Sequence, residues 1–199
     1  MTGALVILAA GASARMGVPK ALLDAGGVGF FARLCREGHA AGLSVLGVVG
    51  GPHESAVRAA IGTLAPLFSN PAWDRGQWSS TQVGLRAALG LAPGPVVIHP
   101  VDCPLVSSRT LAQVARGAPD GGAAVAWHGT SPGHPLALSR RAAEHLALLR
   151  EETTLAAELS RLRCAKVPAG PEVLHNLNTP ERYRALFGRA PQLAGGGAG

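Results

Sequence analysis

Residues 5–23, LVILAAGASARMGVPKALL, are the stretch that decides the fold of this chain. The stretch opens with four apolar residues, 5–8, which is typical of a strand buried on both faces of a parallel sheet. It breaks at Ala9, Ala10 and Gly11 into a loop of very small side chains, where a ligand can lie directly against the backbone. The sequence therefore predicts a first parallel strand with a binding loop at its carboxyl end.

Two cationic side chains follow on the same loop. Arg15 and Lys20 are five residues apart, with Gly17 and Pro19 between them. Cations beside exposed backbone N–H groups, at the carboxyl end of a first strand, suit an oligophosphate. A tight strand-to-helix turn with solvated Arg and Lys side chains is the alternative interpretation.

The spacing of this loop differs from both common glycine-rich phosphate motifs. A P-loop requires Lys directly after its last Gly, whereas Val18 follows Gly17. A dinucleotide fingerprint requires G-x-G-x-x-G, whereas Ala12 and Ser13 follow Gly11. The loop therefore belongs to neither class.

The rest of the chain alternates strand and helix patterns, in an order that predicts a doubly wound parallel sheet with right-handed crossovers. We expect a single Rossmann-like, three-layer α/β domain over residues 1–187 and a disordered Gly- and Ala-rich tail over residues 188–199. The predicted strands cover residues 5–8, 44–49, 66–68, 123–127 and 163–167, with one beginning at residue 95 and a short one near residue 173. The predicted helices cover residues 28–41, 54–64, 107–116, 139–149 and 153–162, with one from Ser79 or Ser80 to Leu89 and one starting at Pro180.

Composition and charge disfavour several classes of protein. With 199 residues, 47% of them apolar, the chain suits one α/β domain with a substantial core. The net charge of +6 comes from sixteen Arg and two Lys without a run, which disfavours a nucleic-acid-binding tail. The apolar N-terminal stretch lacks a basic region and a cleavage site, so it predicts neither a signal peptide nor a membrane span. Cys35, Cys103 and Cys164 form no CxxC pair, which argues against a disulfide framework or a zinc site and makes the cytoplasm the expected compartment.

Two further polar residues lie where a ligand is expected. Asp102 comes just after the strand that begins at residue 95, at the edge where open α/β sheets bind ligands. A lone Asp before a turn can also simply cap the loop. Ser80 can cap its helix, a role that is compatible with contact to a ligand.

Residues 8–23 carry a resemblance to a known family. The string L-A-A-G-x-S-x-R-M-G-x-P-K-x-L-L resembles the signature loop of the MobA-like nucleotidyltransferases. These include the molybdenum cofactor guanylyl- and cytidylyltransferases and are related to sugar-phosphate nucleotidyltransferases. The resemblance implies a nucleotide-diphospho-sugar transferase-like fold in which the loop wraps the triphosphate of an NTP. The nucleotide-binding residues that it implies are Leu8, Ala9, Ala10, Gly11, Ser13, Arg15, Lys20 and Ser80. Gly50 is a further candidate, because its turn frees backbone groups at the carboxyl end of the second strand.

The same resemblance implies a metal site and an acceptor site. Asp102 matches the aspartate that coordinates Mg²⁺ in the family, so Arg15, Lys20 and Asp102 become the candidate catalytic residues. The turn Gly133-His134-Pro135 resembles an acceptor-side segment, in which His134 contacts an acceptor phosphate or merely braces the turn.

Asn178 is the place where the sequence leaves the family pattern. Residues 176–183 resemble D-I-D-T-P-E-D-Y, with Asn176 and Asn178 in place of both aspartates. An amide oxygen still suits Mg²⁺, so Asn178 is the candidate second metal ligand, although the exchange removes a negative charge. The competing hypothesis makes Asn178 the cap of the final helix.

The function implied by this resemblance is Mg²⁺-dependent transfer of a nucleoside monophosphate from CTP or GTP to a phosphorylated acceptor, with release of pyrophosphate. Molybdopterin is the leading acceptor and a molybdoenzyme is the implied protein partner, while no nucleic acid or membrane partner is expected. An acceptor phosphate is already a nucleophile, so catalysis needs positioning and charge neutralisation rather than a general base.

Three alternatives remain open at this point. The acceptor can be a sugar phosphate or another small phosphate ester. The protein can also be a nucleotide-binding relative without turnover, because Asn176 and Asn178 replace carboxylates. An NAD-dependent oxidoreductase would need an acidic residue at the end of the second strand, but that strand ends in Gly50 and Gly51.

Overall fold

A computed structural model of the protein describes residues 2–149 and 153–195. Within these residues the strands are β1 (Ala4–Leu8), β2 (Ser44–Val49), β3 (Leu67–Ser69), β4 (Val96–Pro100), β5 (Ala123–His128), β6 (Ser131–Leu138) and β7 (Cys164–Pro168). The α-helices are α1 (Phe30–Ala40), α2 (Glu54–Ile61), α3 (Gln77–Leu91), α4 (Ser108–Gly117), α5 (Arg140–Leu148), α6 (Leu155–Ser160) and α7 (Pro180–Phe187). Short 3₁₀-helices cover Lys20–Leu22, Trp73–Arg75 and Pro171–Leu174. None of these helices has the length and apolar character needed to span a membrane.

The strands form one sheet in the order β3-β2-β1-β4-β6-β5-β7. β1 pairs in parallel with β2 on one side and with β4 on the other. β6 is antiparallel to both of its neighbours, β4 and β5. Because the chain leaves β1 first to one side and later returns on the other, a crevice opens beyond the carboxyl ends of β1 and β4. The predicted α/β class with a mostly parallel sheet is confirmed.

Helices cover both faces of the sheet, which is why β1 is buried along its whole length. Leu5 and Ile7 face one core, shared with α1, α2, α4 and α7. Val6 and Leu8 face the other core, which they share with α3, α5 and α6. A Cβ atom on Gly84 of α3 would overlap the Val6 side chain, so the missing side chain lets α3 lie close against β1.

The sequence failed to predict β6 as a strand. Two prolines and a glycine in residues 131–138 indicate a turn by their local preferences. The ladder pairs residues 136–138 with β4 and β5, and pairs residues 131–132 with β5 beyond a register shift. Gly133, His134 and Pro135 lie at this shift, where a missing ladder bond is tolerated.

Two other local predictions were wrong. The short strand predicted near residue 173 is the 3₁₀-helix Pro171–Leu174, in which the His175 amide donates to the Glu172 carbonyl. The helix predicted to start at Ser79 or Ser80 starts at Gln77, with Gly76 as its N-cap residue at φ +96°. Neither serine is the cap, because a glycine in this conformation turns the chain into the helix two residues earlier. Ser139 caps α5, and of the two candidates Thr153 and Thr154 it is Thr154 that caps α6, since these side chains accept from the amides of residues 142 and 157.

Part of the tail contacts the body of the domain, where the sequence predicted disorder. Leu193 forms a bridge with Leu23, and the Ala194 amide donates to the Leu22 carbonyl. Asp24 is paired with Arg189, whose guanidinium lies 3.0 Å from its carboxylate. Residues 189–194 therefore support the segment directly after the Lys20–Leu22 turn. The predictions for residues 150–152 and 196–199 lie outside the described residues.

Candidate active site

A cavity of about 350 Å³ lies at the carboxyl edge of the sheet, in the crevice beyond β1 and β4. Of the site residues predicted from the sequence, it is lined by Leu8, Ala9, Ala10, Gly11, Ser13, Lys20, Gly50, Ser80, Asp102, His134 and Asn178. Arg15 is the exception, because it is exposed and outside the lining. Segments that are far apart in sequence thus meet in one concave site of a size that suits small ligands.

The central feature of the cavity is a cluster of Lys20, Asp102 and Asn178. The Lys20 ammonium donates to Asp102 Oδ2 at 2.8 Å and to Asn178 Oδ1 at 2.6 Å. The side chains of Lys20 and Asp102 are only 22% and 12% exposed. Two oxygens from different segments therefore converge on one cationic group in a partly water-excluded place, which strengthens their electrostatic attraction.

Asn178 does not cap α7. The helix is capped by Thr179, whose hydroxyl oxygen accepts from the Arg182 amide. Pro180 occupies the first turn, as predicted. The capping hypothesis for Asn178 is wrong, and its side-chain oxygen is turned to Lys20 instead.

The loop that carries Lys20 is folded by its own backbone. The amides of Met16 and Gly17 both donate to the Ser13 carbonyl, and the Lys20 amide lies 3.3 Å from Ser13 Oγ. Ser13 itself has φ +50°, which is uncommon for a residue other than glycine. Gly11 has φ +148°, and its amide donates to the Gly50 carbonyl at 3.1 Å. The ends of β1 and β2 are thereby joined into one strip of backbone beside the cavity.

Ser80 is held in place by Asn70, a residue that the sequence did not single out. The Asn70 amide donates to Ser80 Oγ at 2.8 Å and to Ser79 Oγ at 2.9 Å. Asn70 and Ser80 are 2% and 4% exposed. Since the Ser80 oxygen accepts a hydrogen bond from Asn70, its own proton is available to a ligand in the cavity.

A carboxylate that the sequence did not single out also lines the cavity. Glu54, at the start of α2, lines the cavity and accepts from the Ser69 hydroxyl at 2.6 Å and from Arg58 Nε at 2.9 Å. The hydrogen bond from Ser69, followed by that from Arg58, holds the pKa of Glu54 below its usual value. The available signal was its position two residues after the Gly50-Gly51-Pro52 turn at a strand end. The other cavity-lining polar residues that were missed are His53, Trp73 and Gln77, and Asn176, which was noted only as a replaced aspartate, lines the cavity as well.

Two histidines, His134 and His99, lie near each other on the Asp102 side of the cavity. His134 lines the cavity, and burial lowers the pKa of its imidazole, so the ring is neutral at pH 7. His99 is fully buried behind it, with the two ring centroids 6.2 Å apart and the rings perpendicular. A neutral imidazole can donate one hydrogen bond and accept another, which suits His134 to contact a phosphate oxygen.

The donor set of the cavity suits a metal ion that arrives with phosphate. Among residues 2–149 and 153–195, no group of three or more His, Cys, Asp or Glu side chains is arranged to hold a metal. Asp102 and Asn178 supply two hard oxygens that converge on a common point, where the Lys20 ammonium lies. Mg²⁺ is typically bound by one or two carboxylates together with substrate phosphates and water. The two oxygens therefore fit a substrate-borne ion.

Comparison with family models identifies the class of protein to which this site belongs. Residues 5–167 match the MobA-like NTP transferase domain. The chain belongs to this family. It is a nucleotidyltransferase, as the residues 8–23 motif predicted. No curated protein sequence matches the chain.

Solved structures show the same fold. The MobA-like domain is similar to Rv0371c from Mycobacterium tuberculosis H37Rv, with 26% identity over 96% of this chain and 100% of that chain and a TM-score of 0.78. Rv0371c has also been solved in complex with manganese, at 25% identity over the same shares of the two chains and a TM-score of 0.77.

Two structures of lower sequence identity also have this fold. One is a nucleotidyl transferase from Methanothermobacter thermautotroptrophicus, with 22% identity, coverage of 93% and 95% of the two chains and a TM-score of 0.79. The other is the molybdopterin-guanine dinucleotide biosynthesis protein A from Archaeoglobus fulgidus, with 18% identity, coverage of 91% and 95% and a TM-score of 0.65.

Proposed function

We propose that this MobA-like protein transfers a nucleoside monophosphate from CTP or GTP to a phosphorylated small molecule and releases pyrophosphate. The observation that carries the proposal is the convergence of Asp102 and Asn178 on the Lys20 ammonium inside the cavity. Phosphoryl transfer needs cations and hard oxygen ligands at one point, and these three side chains supply both.

The nucleotide lies along the backbone strip in this proposal. Residues 8–11 and Gly50 offer small side chains and backbone groups to the base and ribose, with the Ser80 hydroxyl beside them. The triphosphate follows the loop from Ser13 to Lys20. Arg15 is exposed on that loop and meets the phosphates from the solvent side. Backbone N–H groups and cations together stabilise such an oligophosphate.

Asp102 and Asn178 hold Mg²⁺ in this proposal. Bound there together with the triphosphate, the ion supplies neutralisation of negative charge on the phosphates. The existence of a manganese complex of Rv0371c supports the use of a divalent cation in this proposal. Lys20 then takes a phosphate oxygen in place of one of its two present partners.

The reaction needs no proton transfer from the protein. An oxygen of the acceptor phosphate forms a bond to the α-phosphorus, and the bond between that phosphorus and the oxygen bridging to the β-phosphate breaks. The pyrophosphate leaves with this oxygen, and Lys20 and Arg15 neutralise the charge that develops on it. The protein therefore contributes position and electrostatic stabilisation.

The acceptor lies on the side of His134. Its neutral imidazole donates to an acceptor phosphate oxygen, and the nearby Asn176 side-chain oxygen is buried without a partner among the described residues. The leading acceptor is molybdopterin, supported by the fold shared with the Archaeoglobus fulgidus protein. If molybdopterin is the acceptor, we propose that the protein acts in the cytoplasm and has a molybdoenzyme as its partner.

A panel of NTPs tests the proposal directly. Each of CTP, GTP, ATP and UTP is incubated with Mg²⁺ and with molybdopterin or a sugar phosphate, and pyrophosphate release is measured. We expect release with one acceptor class and one or two NTPs, and none without acceptor. Release with sugar phosphates but not with molybdopterin would move the acceptor to the second class. Saturable NTP binding without release under any combination would identify a nucleotide-binding relative without turnover, for which Asn176 and Asn178 are the physical reason.

A further inference from the structure

His99 is a buried polar residue for which the proposed chemistry has no use. It lies in β4, is 0% exposed and is absent from the lining of the cavity. Its Nε2 atom lies 2.7 Å from the Cys103 carbonyl oxygen. A carbonyl only accepts, so the ring proton is on Nε2. Burial lowers the pKa of the ring to about 4, which keeps it neutral, and the contact with the carbonyl fixes this tautomer.

The hydrogen bond from His99 closes the turn that carries Asp102. The Val101 amide donates to the Leu8 carbonyl at 3.0 Å, and the Cys103 amide donates to the Pro100 carbonyl at 3.2 Å. His99 holds the carbonyl of the residue directly after Asp102. The backbone on both sides of the carboxylate is thereby fixed to the central strands β1 and β4.

This turn also fixes the segment that carries Asn178. The Asp102 carbonyl accepts from the Leu177 amide at 2.8 Å, one residue before Asn178. A shift of the Asp102 backbone therefore moves both oxygens that converge on Lys20. A ligand pair for a hard cation is sensitive to such shifts, because Mg²⁺ demands near-ideal geometry.

Stability alone gives a poor account of a histidine in this place. Its Nδ1 atom is buried without a hydrogen-bond partner among the described residues. A buried unsatisfied acceptor destabilises a fold, and a leucine of similar size would avoid this cost. The histidine is explained if its Nε2–H group serves the site.

We propose that His99 is a positioning residue that holds the Asp102 turn, and through it Asn178, in the geometry that binds the divalent cation. This inference rests on the proposed function. His99 acts through its N–H group and the Cys103 carbonyl, without contact to substrate.

Two substitutions at this position separate the effect of the hydrogen-bond donor from the effect of side-chain volume. His99→Gln keeps an amide N–H at about the reach of Nε2, whereas His99→Leu keeps the volume and removes the donor. Mn²⁺ binding is measured by electron paramagnetic resonance in the presence of CTP and, in a second series, of GTP. We expect His99→Leu to weaken Mn²⁺ binding by about tenfold or more, the usual effect of losing a partner that orients a ligand. His99→Gln should bind Mn²⁺ nearly as well as the original protein.

His128 offers a matched control on strand β5, which β6 separates from the β4 strand of His99. Its Nδ1 atom lies 2.8 Å from the Ala169 carbonyl, so His128→Leu removes a hydrogen bond of the same kind outside the cavity. We expect no change in Mn²⁺ binding for this variant. If His99→Leu does not fold, His99→Asn replaces it, because its shorter amide cannot reach the Cys103 carbonyl.

The outcomes test the positioning role of His99 separately from the proposed function. Unchanged Mn²⁺ binding in His99→Leu or His99→Asn, or equal losses in His99→Gln, overturns the positioning role while the proposed function stands. Absence of turnover in the unsubstituted protein overturns the proposed function itself. Weakened Mn²⁺ binding in His99→Leu with rescue in His99→Gln supports the inference.

Discussion

The two walls of the cavity are built in different ways. One wall, here called the backbone wall, consists of residues 8–11 and Gly50, which offer main-chain groups and small side chains. The other, here called the side-chain wall, consists of Asp102, His134 and Asn178, which come from three distant segments. Backbone can contact any nucleotide without a particular side chain, whereas ligands for a cation require particular oxygens. We therefore expect substitutions to affect turnover mainly when they change the side-chain wall.

The largest expected effect is on the side-chain wall, at Asp102. Asp102→Asn keeps the shape of the residue but removes the charged ligand, so we expect Mg²⁺-dependent turnover to fall by about 10³-fold or more, with the fold intact. Pyrophosphate release and circular dichroism check the two parts of this prediction. Asp120→Asn is the control, because the Asp120 side chain is 83% exposed and lies outside the cavity, in the turn before β5. Near-normal turnover in Asp102→Asn would refute its role as a ligand.

Lys20 links the two walls. It lies on the loop that follows residues 8–11 of the backbone wall, and its ammonium contacts Asp102 and Asn178 of the side-chain wall. We expect Lys20→Ala to lower kcat by about 10²- to 10³-fold with little effect on acceptor affinity, because the ammonium meets charge that develops on the pyrophosphate. Arg15→Ala should act in the same direction and less strongly, since Arg15 is exposed. Lys166→Ala is the control, because that ammonium lies 3.9 Å over the Trp127 ring on β5. A loss of acceptor affinity with unchanged kcat would place Lys20 elsewhere in the reaction.

The backbone wall was the predictable part of the site. Residues 8–11 of this wall are contiguous in sequence, and the apolar run before them and the small side chains of residues 9–11 indicate a strand that ends in a loop. Fold class follows from the same local signal, because residues 44–49 repeat the pattern of a buried strand. Arg15 shows the limit of the motif, since spacing along the chain gave no information on its exposure.

The side-chain wall depends on contacts that local patterns do not encode. Lys20 is 82 residues from Asp102 and 158 from Asn178, and only the folded chain brings them together. His134 lies at a register shift in β6, which prolines made indistinguishable from a turn. The support that Asn70 gives to Ser80 follows from the position of α3, whose start was predicted two residues late.

A smaller effect is expected on the backbone wall, at Gly11. No atom lies within 4 Å of a Cβ built on Gly11, but its φ of +148° is one that other residues rarely adopt. We expect Gly11→Ala to cost about 1–3 kcal/mol in stability or in Mg·NTP binding through this strain. Gly90→Ala is the control, because Gly90 lies in α3 with equal space and no positive φ, and it should stabilise by up to about 1 kcal/mol. Thermal melts and NTP titrations that show equal effects at both positions would contradict the role of backbone conformation.

The smallest expected effect returns to the side-chain wall, where Asn178 replaces a carboxylate. Asn178→Asp adds negative charge beside Asp102, so we expect the Mg²⁺ concentration for half-maximal activity to fall by about three- to tenfold, which corresponds to roughly 1 kcal/mol. Asn178→Ala should raise it. Thr179→Ala is the control, because it removes the cap of α7 and should lower stability by about 1 kcal/mol without moving the Mg²⁺ curve. If Asn178 serves only to hold Lys20, the Mg²⁺ curves stay in place while the KM for the NTP changes. Titrations of all three variants, paired with thermal melts, distinguish a metal ligand from a partner of Lys20.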